Sequence, residues 1–585
     1  MPATDMTTPG GLLLALAVLV PFIGVLAGLV LGGRNAQRVA FLTMAVGFGI
    51  AVAVADHFTR LGAPVVYLLG GWAPPLGVAL RADALAVVML LVVAVVIFGI
   101  GVYACADFGT PSGVRETRAP FTYWLLLMAV WGSLNLVFVS GDLFTLYVAL
   151  ELLTFAGVPL VSLEGRGETL RAALRYLLFA LLGSVLYLLG AVLLYGAYGT
   201  LDVALLAAGI RPDPATLAAA ALMTTGLLAK TALFPLHIWL PPAHAGAPAA
   251  ASAVLSALVV KGSWFLVVRL WFDVMPGVIT PSAAQLLAGM GAAAIVFGSI
   301  VAVRQERLKL LVAYSTLAQI GYLFLMFPLA FDAGGTALVH GGALTGGLLQ
   351  AISHATAKAG MFMAAGLIYA ALGHDRIAAL GGVARAMPVT VLTFAVAGVA
   401  LMGVVPSGAY LAKKLLLYAA DDSGQWWWTI VLQGGAVFTA GYVVLVLVNA
   451  LRRVGAPITL VVRVSRRSEF AALALAVCSL LLALAALGPV PGDLVSNPLA
   501  PAELGSTLLT FAGGALLALG FARRSLLAPA RADADAGPVR RGMVALGAAV
   551  ASADVLVRRW PSASVALLAV TALFGWMLAA GAMSN

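Results

Sequence analysis

The sequence is poor in charge and in the residues that build catalytic or metal centres. Only 10% of its 585 residues are charged, compared with about 25% in an average soluble protein. Two cysteines, Cys105 and Cys478, lie on different apolar segments and offer neither a disulfide framework nor a thiolate metal site. The six histidines are scattered outside any zinc-protease or haem-attachment motif, and glycine-rich nucleotide-binding motifs are absent. We therefore predict no cofactor, although two membrane histidines could still ligate a haem.

Apolar sequence is what the chain has in excess. Its residues are 63% hydrophobic and its mean hydropathy is +1.07. Apolar runs of about 20 residues recur along the whole length, and each can cross a bilayer as a helix. Segments 7, 11 and 12 each contain or adjoin a break. The sequence thus predicts an all-α polytopic membrane protein with sixteen segments, centred on 11–32, 38–57, 83–104, 120–139, 143–163, 172–197, 214–234, 250–272, 283–303, 308–327, 338–371, 388–418, 427–450, 468–487, 505–522 and 561–582.

The basic residues of the loops predict an orientation. Lysine and arginine concentrate in the loops that follow odd-numbered segments, whereas the opposite loops hold only Arg60, Arg81 and Arg211. By the positive-inside rule, the basic loops are cytoplasmic and both termini lie outside the cytoplasm of a cell inner (plasma) membrane. The net charge of +10 therefore reflects topology rather than nucleic-acid binding. In the longest basic loop, 523–560, a surface helix over 542–560 is expected to contact lipid headgroups or a partner rather than form a functional site.

Ionisable residues inside membrane segments are costly and mark function by default. Glu151 lies near the middle of segment 5, with Asp142 at the outer mouth of that segment. Lys230 lies on segment 7, one turn before a break at Pro235, and His237 follows. Main-chain carbonyls that lose their helical partners at the break, together with water, are expected to hydrate the Lys230 ammonium. Glu151 is either a structural ion-pair partner or a titrating group; at about 8 Å its attraction to Lys230 would be roughly 2 kcal/mol.

Polar residues also line segments 8 and 11. Lys261 lies on segment 8, with Ser256 on a preceding turn. Gln350, His354 and Lys358 are spaced by four on segment 11, so they share one helix face that must contact protein or water rather than lipid. A lone histidine there would be a hydrogen-bonding core residue, but the neighbouring lysine and glutamine favour a proton relay.

Segment 12 carries two adjacent lysines after a predicted break. Pro406 and Gly408 interrupt the helix, and Lys413 lies about two turns beyond the proline. Lys413 and Lys414 point about 100° apart because they are consecutive helical residues. Only one of them can therefore face a buried polar path, and the other extends to the surface or meets a partner.

These segments resemble the antiporter-like subunits of complex I, of Mrp-type sodium/proton antiporters and of membrane-bound hydrogenases. The most specific stretch is KTALFPLHIWLPPAHAGAPAAASAVLSALVVKG, and LKLLVAYSTLAQIGY and SHATAKAGMFMAAG also match. The resemblance implies a 14-helix core with two inverted five-helix repeats, broken helices 7 and 12, and about two extra C-terminal helices. It divides the chain into N-terminal helices 1–3 (1–119), a first repeat (120–272), a second repeat (283–450) and C-terminal helices 14–16 (468–585) with a basic linker at 523–560.

The same resemblance implies which residues carry protons. The proposed proton-translocating residues are Glu151, Lys230, Lys261, His354, Lys358 and Lys413. The supporting positions are Asp142, Pro235, His237, Gln350 and Pro406, and Gln350 stands where some members place a further histidine. The implied partners are other membrane subunits of one complex, and the ion is H+, with Na+ or K+ left open. The alternatives are a quinone-associated subunit of an oxidoreductase and a scaffold without ion transport. Because the sequence contains no catalytic motif, it leaves open whether the complex is an enzyme.

The predicted orientation can be tested with topology reporters. Alkaline phosphatase fused after Asn585 should be active, and a fluorescent protein fused there should stay dark, because the C-terminus is predicted to be extracytoplasmic. The same reporters fused after Arg385, in a basic loop, should give the reverse pattern. A cytoplasmic signal after Asn585 would overturn the orientation.

Overall fold

The computed structural model describes residues 6–111, 113–114, 116–332, 338, 341–454, 458–484, 500–521 and 538–584. These residues form two compact units, each assembled from separate stretches of chain. The first unit contains residues 6–231, 246–283 and 565–584, and the second contains 232–245 and the described part of 284–564. Helices dominate both units.

The elements up to residue 274 follow this order along the chain: α1 (Leu12–Leu31), α2 (Gly33–Leu61), β1 (Val65–Leu68), β2 (Ala79–Ala82), α3 (Ala84–Ala104), α4 (Arg118–Val139), α5 (Leu143–Val161), α6 (Gly167–Tyr198), α7 (Val203–Gly209), α8 (Pro214–Thr231), α9 (Leu240–Gly246), α10 (Ala249–Val254), a π-helical turn (Leu255–Val259), α11 (Val260–Arg269) and a second π-helical turn (Leu270–Val274).

The remaining elements are α12 (Pro281–Val303), α13 (Leu308–Tyr322), α14 (Met326–Leu329), α15 (Gly342–Leu372), α16 (Val383–Ala386), α17 (Pro388–Leu401), α18 (Gly408–Asp422), α19 (Trp426–Leu451), α20 (Arg466–Leu481), α21 (Pro501–Phe521), α22 (Pro538–Val557) and α23 (Trp560–Ser584).

Each of the sixteen predicted segments coincides with a helix. Within the described residues, thirteen helices are long and apolar enough to cross a membrane. The other three segments are segment 14 (α20), segment 7 (α8, with the break after it) and the broken segment 12 (α17 and α18). The break expected for segment 11 does not lie within its helix, because α15 contains no proline and runs continuously from Gly342 to Leu372. The chain is a polytopic membrane protein.

A β-hairpin that the sequence did not predict lies between α2 and α3. Its strands pair antiparallel, with Val65 opposite Ala82 and Leu68 opposite Ala79. The turn after β2 ends at Asp83, whose side chain accepts a hydrogen bond from Ala86 N at 3.0 Å and so caps α3. The carboxylate of Asp83 also pairs with Arg269 at the end of α11. Burial raises the pKa of Asp83, but the Arg269 guanidinium outweighs burial and holds that pKa below its usual value.

In the first unit, α6 and α8 pack backbone to backbone. A Cβ atom added to Gly183 would lie 2.6 Å from the carbonyl oxygen of Gly226, and one added to Gly226 would lie 2.3 Å from the carbonyl oxygen of Gly183. Both glycines are therefore required by the close approach of the two helices, as is common between membrane helices. This contact holds α8, which carries Lys230 in its last turn, against α6.

In the second unit, α15 packs against α13, α17, α18 and α20, and α21 packs against α19 and α22. A buried arginine links α12 to the C-terminal helices. The Arg304 guanidinium donates to the main-chain oxygens of Phe521 at 3.0 Å and Val544 at 3.3 Å. Because Val544 lies on α22, this contact fixes a helix outside the thirteen candidate spans to the body of the unit.

The close approach of α6 and α8 gives a stability prediction. Gly183→Ala should lower the stability of the protein by about 1–3 kcal/mol, because the added methyl group meets a main-chain oxygen that cannot move aside. Gly196→Ala on the same helix is the matched control, since no atom lies within 4 Å of its added Cβ. Thermal unfolding in mild detergent measures both. Equal melting temperatures for the two variants would contradict the close packing.

Candidate functional site

A buried ion pair joins α5 to the last turn of α8. Lys230 Nζ lies 3.5 Å from Glu151 Oε1, and the two side chains are only 7% and 14% exposed. The expected separation of about 8 Å is therefore wrong; at contact distance and an effective dielectric of about 20, the attraction is about 4 kcal/mol. Lys230 thus depends on Glu151 more strongly than the sequence indicated.

Two further oxygens of α5 hold the same ammonium group. Lys230 Nζ donates to Thr154 Oγ1 at 2.8 Å and to the main-chain oxygen of Leu150 at 3.4 Å. Thr154 follows Glu151 by about one turn of α5, so both side chains lie on the face toward α8. The carbonyl that Lys230 contacts thus comes from α5, whereas the sequence led us to expect carbonyls freed at the break.

The break after Lys230 is confirmed. α8 ends at Thr231, Ala232 adopts a φ of 61°, and α9 begins only at Leu240. The left-handed conformation is rare for a residue with a side chain, and Pro235 cannot donate a helical hydrogen bond, so the helix cannot continue. Within the broken stretch, His237 Nε2 lies 3.1 Å from Asp554 Oδ1 on α22.

Lys261 lies directly after the first π-helical turn. The side chain is 1% exposed, and its Nζ donates to the main-chain oxygen of Ser256 at 2.5 Å. The extra residue of a π-turn disturbs the regular hydrogen-bond ladder, which leaves carbonyl groups available to a side chain. The sequence predicted a regular helix here and missed the turn, because no proline or glycine marks Leu255–Val259.

The polar stripe of α15 faces protein, as predicted. Gln350, His354 and Lys358 are at most 5% exposed. Lys358 Nζ donates to Ser315 Oγ and to the main-chain oxygen of Val312 at 3.3 Å, both on α13. Gln350 Nε2 donates to Gln319 Oε1, also on α13, at 3.3 Å.

The two lysines of α18 have different surroundings. Residues 402–407 separate α17 from α18, include Gly403 with a φ of 62° and contain Pro406, so the predicted break is confirmed. Ser407 caps α18 by accepting from Tyr410 N at 3.0 Å. Lys414 forms an ion pair with Glu503 at the start of α21. Lys414 therefore contacts Glu503 directly, and Lys413 beside it is half-buried.

Several residues of these clusters were missed in the sequence. Thr154 lies three residues after Glu151 on segment 5, and this helical spacing could have indicated it. Ser315 lies in the stretch LKLLVAYSTLAQIGY, which was noted only for its family resemblance. His244 lies in the signature stretch; it is fully buried and stacks on Phe362 with ring centroids 4.7 Å apart. No sequence pattern linked Glu503 to Lys414 or Asp554 to His237, because each acid lies on a C-terminal helix far along the chain from its partner.

Asp142 has a structural role at the start of α5. Its carboxylate accepts from Thr145 N at 2.7 Å and caps the helix. Like Glu151 and Lys230, it belongs to the first unit. Among the described residues, no group of three or more histidine, cysteine, aspartate or glutamate side chains is arranged to hold a metal ion.

Comparison with known proteins identifies the family to which the chain belongs. Residues 140–439 match the family described as NADH:quinone oxidoreductase/Mrp antiporter, transmembrane. The chain belongs to this family. It is 35% identical to NADH-quinone oxidoreductase subunit N of Desulforudis audaxviator over 68% of this chain and 78% of that relative. It is 27% identical to a Na+/H+ antiporter subunit of Bacillus subtilis over the same shares of the two chains.

Chains of two solved membrane complexes share the fold. A chain of the Mrp complex from Dietzia superposes with a TM-score of 0.72 at 23% identity, covering 87% of this chain and 97% of that one. A chain of the membrane-bound sulfane sulfur reductase, an archaeal respiratory membrane complex, superposes with a TM-score of 0.71 at 25% identity, covering 86% and 97%. The antiporter-like fold that the signature stretches implied is confirmed, while the two inverted repeats and the domain boundaries stay predictions.

The family region includes every predicted proton-carrying residue and ends within α19. Glu503 and Asp554, the two acids that reach Lys414 and His237, lie beyond it. The C-terminal helices therefore add ionisable groups to a core that the family shares.

Proposed function

We propose that this chain is a proton-translocating membrane subunit of a larger complex. The observation that carries the proposal is the Glu151–Lys230 ion pair, buried between α5 and the broken end of α8. An ion pair in the apolar interior is retained at a cost, and a role in transport explains why both charges are kept. The names of the relatives, subunits of quinone oxidoreductases and of cation/proton antiporters, support the same function.

In the proposed mechanism, Glu151 sets how firmly Lys230 holds its proton. With the carboxylate at contact distance, its attraction contributes about 4 kcal/mol in favour of the ammonium form, against the cost of burying that charge. When the carboxylate moves away or takes up a proton, Lys230 loses that support and releases its proton to the next site. Thr154 and the Leu150 carbonyl also bind Lys230, and both oxygens can accept from an ammonium or a neutral amine, so in this mechanism the lysine keeps its position during the change.

The second unit carries a comparable site. Lys358 is held by Ser315 and by the Val312 carbonyl, and His354 lies one turn before it on α15. We propose that Lys261, His354, Lys358 and Lys413 continue the transfer in the order that the family resemblance implies. Both termini are proposed to lie outside the cytoplasm, and Pro235 and Pro406 to mark the half-channels at the two broken segments.

The driving force of proton transport would identify the type of complex and the transported ion. Purified native complex in proteoliposomes, with a pH-sensitive dye inside, should move protons either on addition of a quinone and its reductant or on a pulse of Na+ or K+. Redox-driven movement identifies an oxidoreductase complex, and cation-driven movement identifies an antiporter. If an intact complex moves protons under neither condition, the chain is a scaffold without ion transport.

Glu151→Gln should reduce proton transport by at least about tenfold while the complex still assembles, because the amide keeps the shape but removes the charge that supports Lys230. Lys230→Met should be comparably inactive, and the double variant should be no worse than either single variant, since the pair acts as one unit. Glu168→Gln is the matched control, because that carboxylate is exposed at the start of α6. Wild-type transport by Glu151→Gln would reduce the pair to a structural role.

His354→Leu should also lower proton transport without loss of assembly, because leucine fills the space but cannot carry a proton. His57→Leu on α2 serves as the control for replacing a membrane histidine away from the buried lysines. Dye-monitored transport and the yield of intact complex are measured for both. Unchanged transport in His354→Leu would make His354 a packing residue.

A further inference from the structure

α22 buries a carboxylate and exposes aliphatic side chains. Asp554 is only 2% exposed, whereas the next two residues, Val555 and Leu556, are 54% and 56% exposed. Burial of a charged group is unfavourable unless it is paired, so the residues around Asp554 must supply its partners.

Asp554 completes a buried polar cluster. Its Oδ1 lies 3.1 Å from His237 Nε2, and its Oδ2 accepts from Tyr314 Oη of α13 at 2.5 Å. The same Oδ2 accepts from Arg558 at 2.7 Å, one turn further along the chain. Burial raises the pKa of Asp554, but the hydrogen bond from His237 and the charge of Arg558 outweigh it and hold the pKa below its usual value. The carboxylate is thus satisfied as an anion.

This carboxylate fixes one nitrogen of His237 and leaves the other open. Nε2 faces Asp554, while Nδ1 has no hydrogen-bond partner among the described residues. Phe234 stacks on the ring at 5.6 Å between centroids, and Phe297 meets it edge-on at 5.8 Å. His237 is fully buried, so the ring is held by aromatic faces and oriented by Asp554.

The cluster reaches the surface through α22. Arg558 is 21% exposed and Asp554 is nearly buried, so the polar groups run inward from Arg558 to His237. His237 follows Lys230 along the chain, in the stretch that breaks segment 7. The loop charges predict that both the linker containing α22 and the end of segment 7 lie on the cytoplasmic side.

We propose that His237 is a proton-loading residue at the cytoplasmic end of the transport path, and that Asp554 of α22 is its positioning residue. This proposal rests on the proposed function. Neutral His237 donates Nε2–H to the Asp554 carboxylate, which leaves the Nδ1 lone pair able to accept a proton from a hydronium ion and release water. The imidazolium that forms faces a carboxylate, and Nδ1 later returns the proton to the path. Loading breaks one O–H bond and forms the Nδ1–H bond, and the Nδ1–H bond breaks when the proton is returned.

The pH dependence of transport tests this assignment, because a purely structural contact would not move it. The titratable groups of the cluster are Asp554 from α22, Arg558 directly after that helix, Tyr314 from α13 and His237 itself. Removing the negative charge disfavours the imidazolium, so Asp554→Asn should shift the transport profile to lower pH by about one unit or more. Removing the positive charge should act in the opposite direction, so Arg558→Gln should shift the profile to higher pH.

Matched controls lie on the same stretch of chain. Arg559→Gln and Ser552→Ala replace exposed residues beside the cluster and should leave the profile unchanged. In a His237→Asn background, Asp554→Asn should add no further shift, because the group on which it acts is gone. All variants are measured as the native complex in proteoliposomes, with internal dye, between about pH 5 and pH 9, the range in which a histidine titrates.

The outcomes separate this proposal from the proposed function. Opposite shifts for Asp554→Asn and Arg558→Gln support it, and an assembled Asp554→Asn complex with an unchanged profile overturns it. If Asp554→Asn does not assemble, the absence of an alkaline shift in Arg558→Gln overturns it instead. Glu151→Gln is included in the same series: normal transport in that variant refutes the proposed function, whereas its loss with no shift in the α22 variants refutes only the role of Asp554.

Discussion

An ammonium group in the interior of a membrane protein has no bulk water and must take its oxygen partners from its own fold. Lys230 and Lys358 meet this constraint in the same way. Each is bound by a hydroxyl and a main-chain carbonyl of one neighbouring helix, and in each case that hydroxyl donates to that same carbonyl at 2.8 Å. These hydroxyl and carbonyl pairs are Thr154 with Leu150 and Ser315 with Val312.

This arrangement suits a lysine that changes its protonation state. A hydroxyl and a carbonyl oxygen accept a hydrogen bond from an ammonium or from a neutral amine, so the contacts survive loss of the proton. The charge-dependent partner is the neighbouring carboxylate, which Lys230 has in Glu151. Among the described residues, no carboxylate lies within 4 Å of Lys358. The fold thus separates the groups that position a lysine from the group that controls its charge.

The two broken segments also resemble each other. In each, a residue with positive φ is followed three positions later by a proline, as Ala232 by Pro235 and Gly403 by Pro406. The likeness supports the proposed pair of repeats. Beyond the shared family region, α21 and α22 each bring an acid into the second unit, Glu503 to Lys414 and Asp554 to His237. The C-terminal helices are therefore part of the ionisable network of that unit.

Sequence patterns alone were enough to predict the membrane class, the sixteen segments, the breaks at Pro235 and Pro406 and the buried face of α15. These follow from local rules: apolar length, the missing donor of proline and the spacing of polar residues along one helix. The packing of the helices, by contrast, establishes that Glu151 touches Lys230, that Lys414 contacts Glu503, and that Asp554 meets His237. Such contacts join residues far apart in the chain, and their distances depend on how helices pack, which no single segment encodes. The π-helical turn before Lys261 was not predicted for a related reason: Leu255–Val259 contains no helix-breaking residue, so the turn depends on packing.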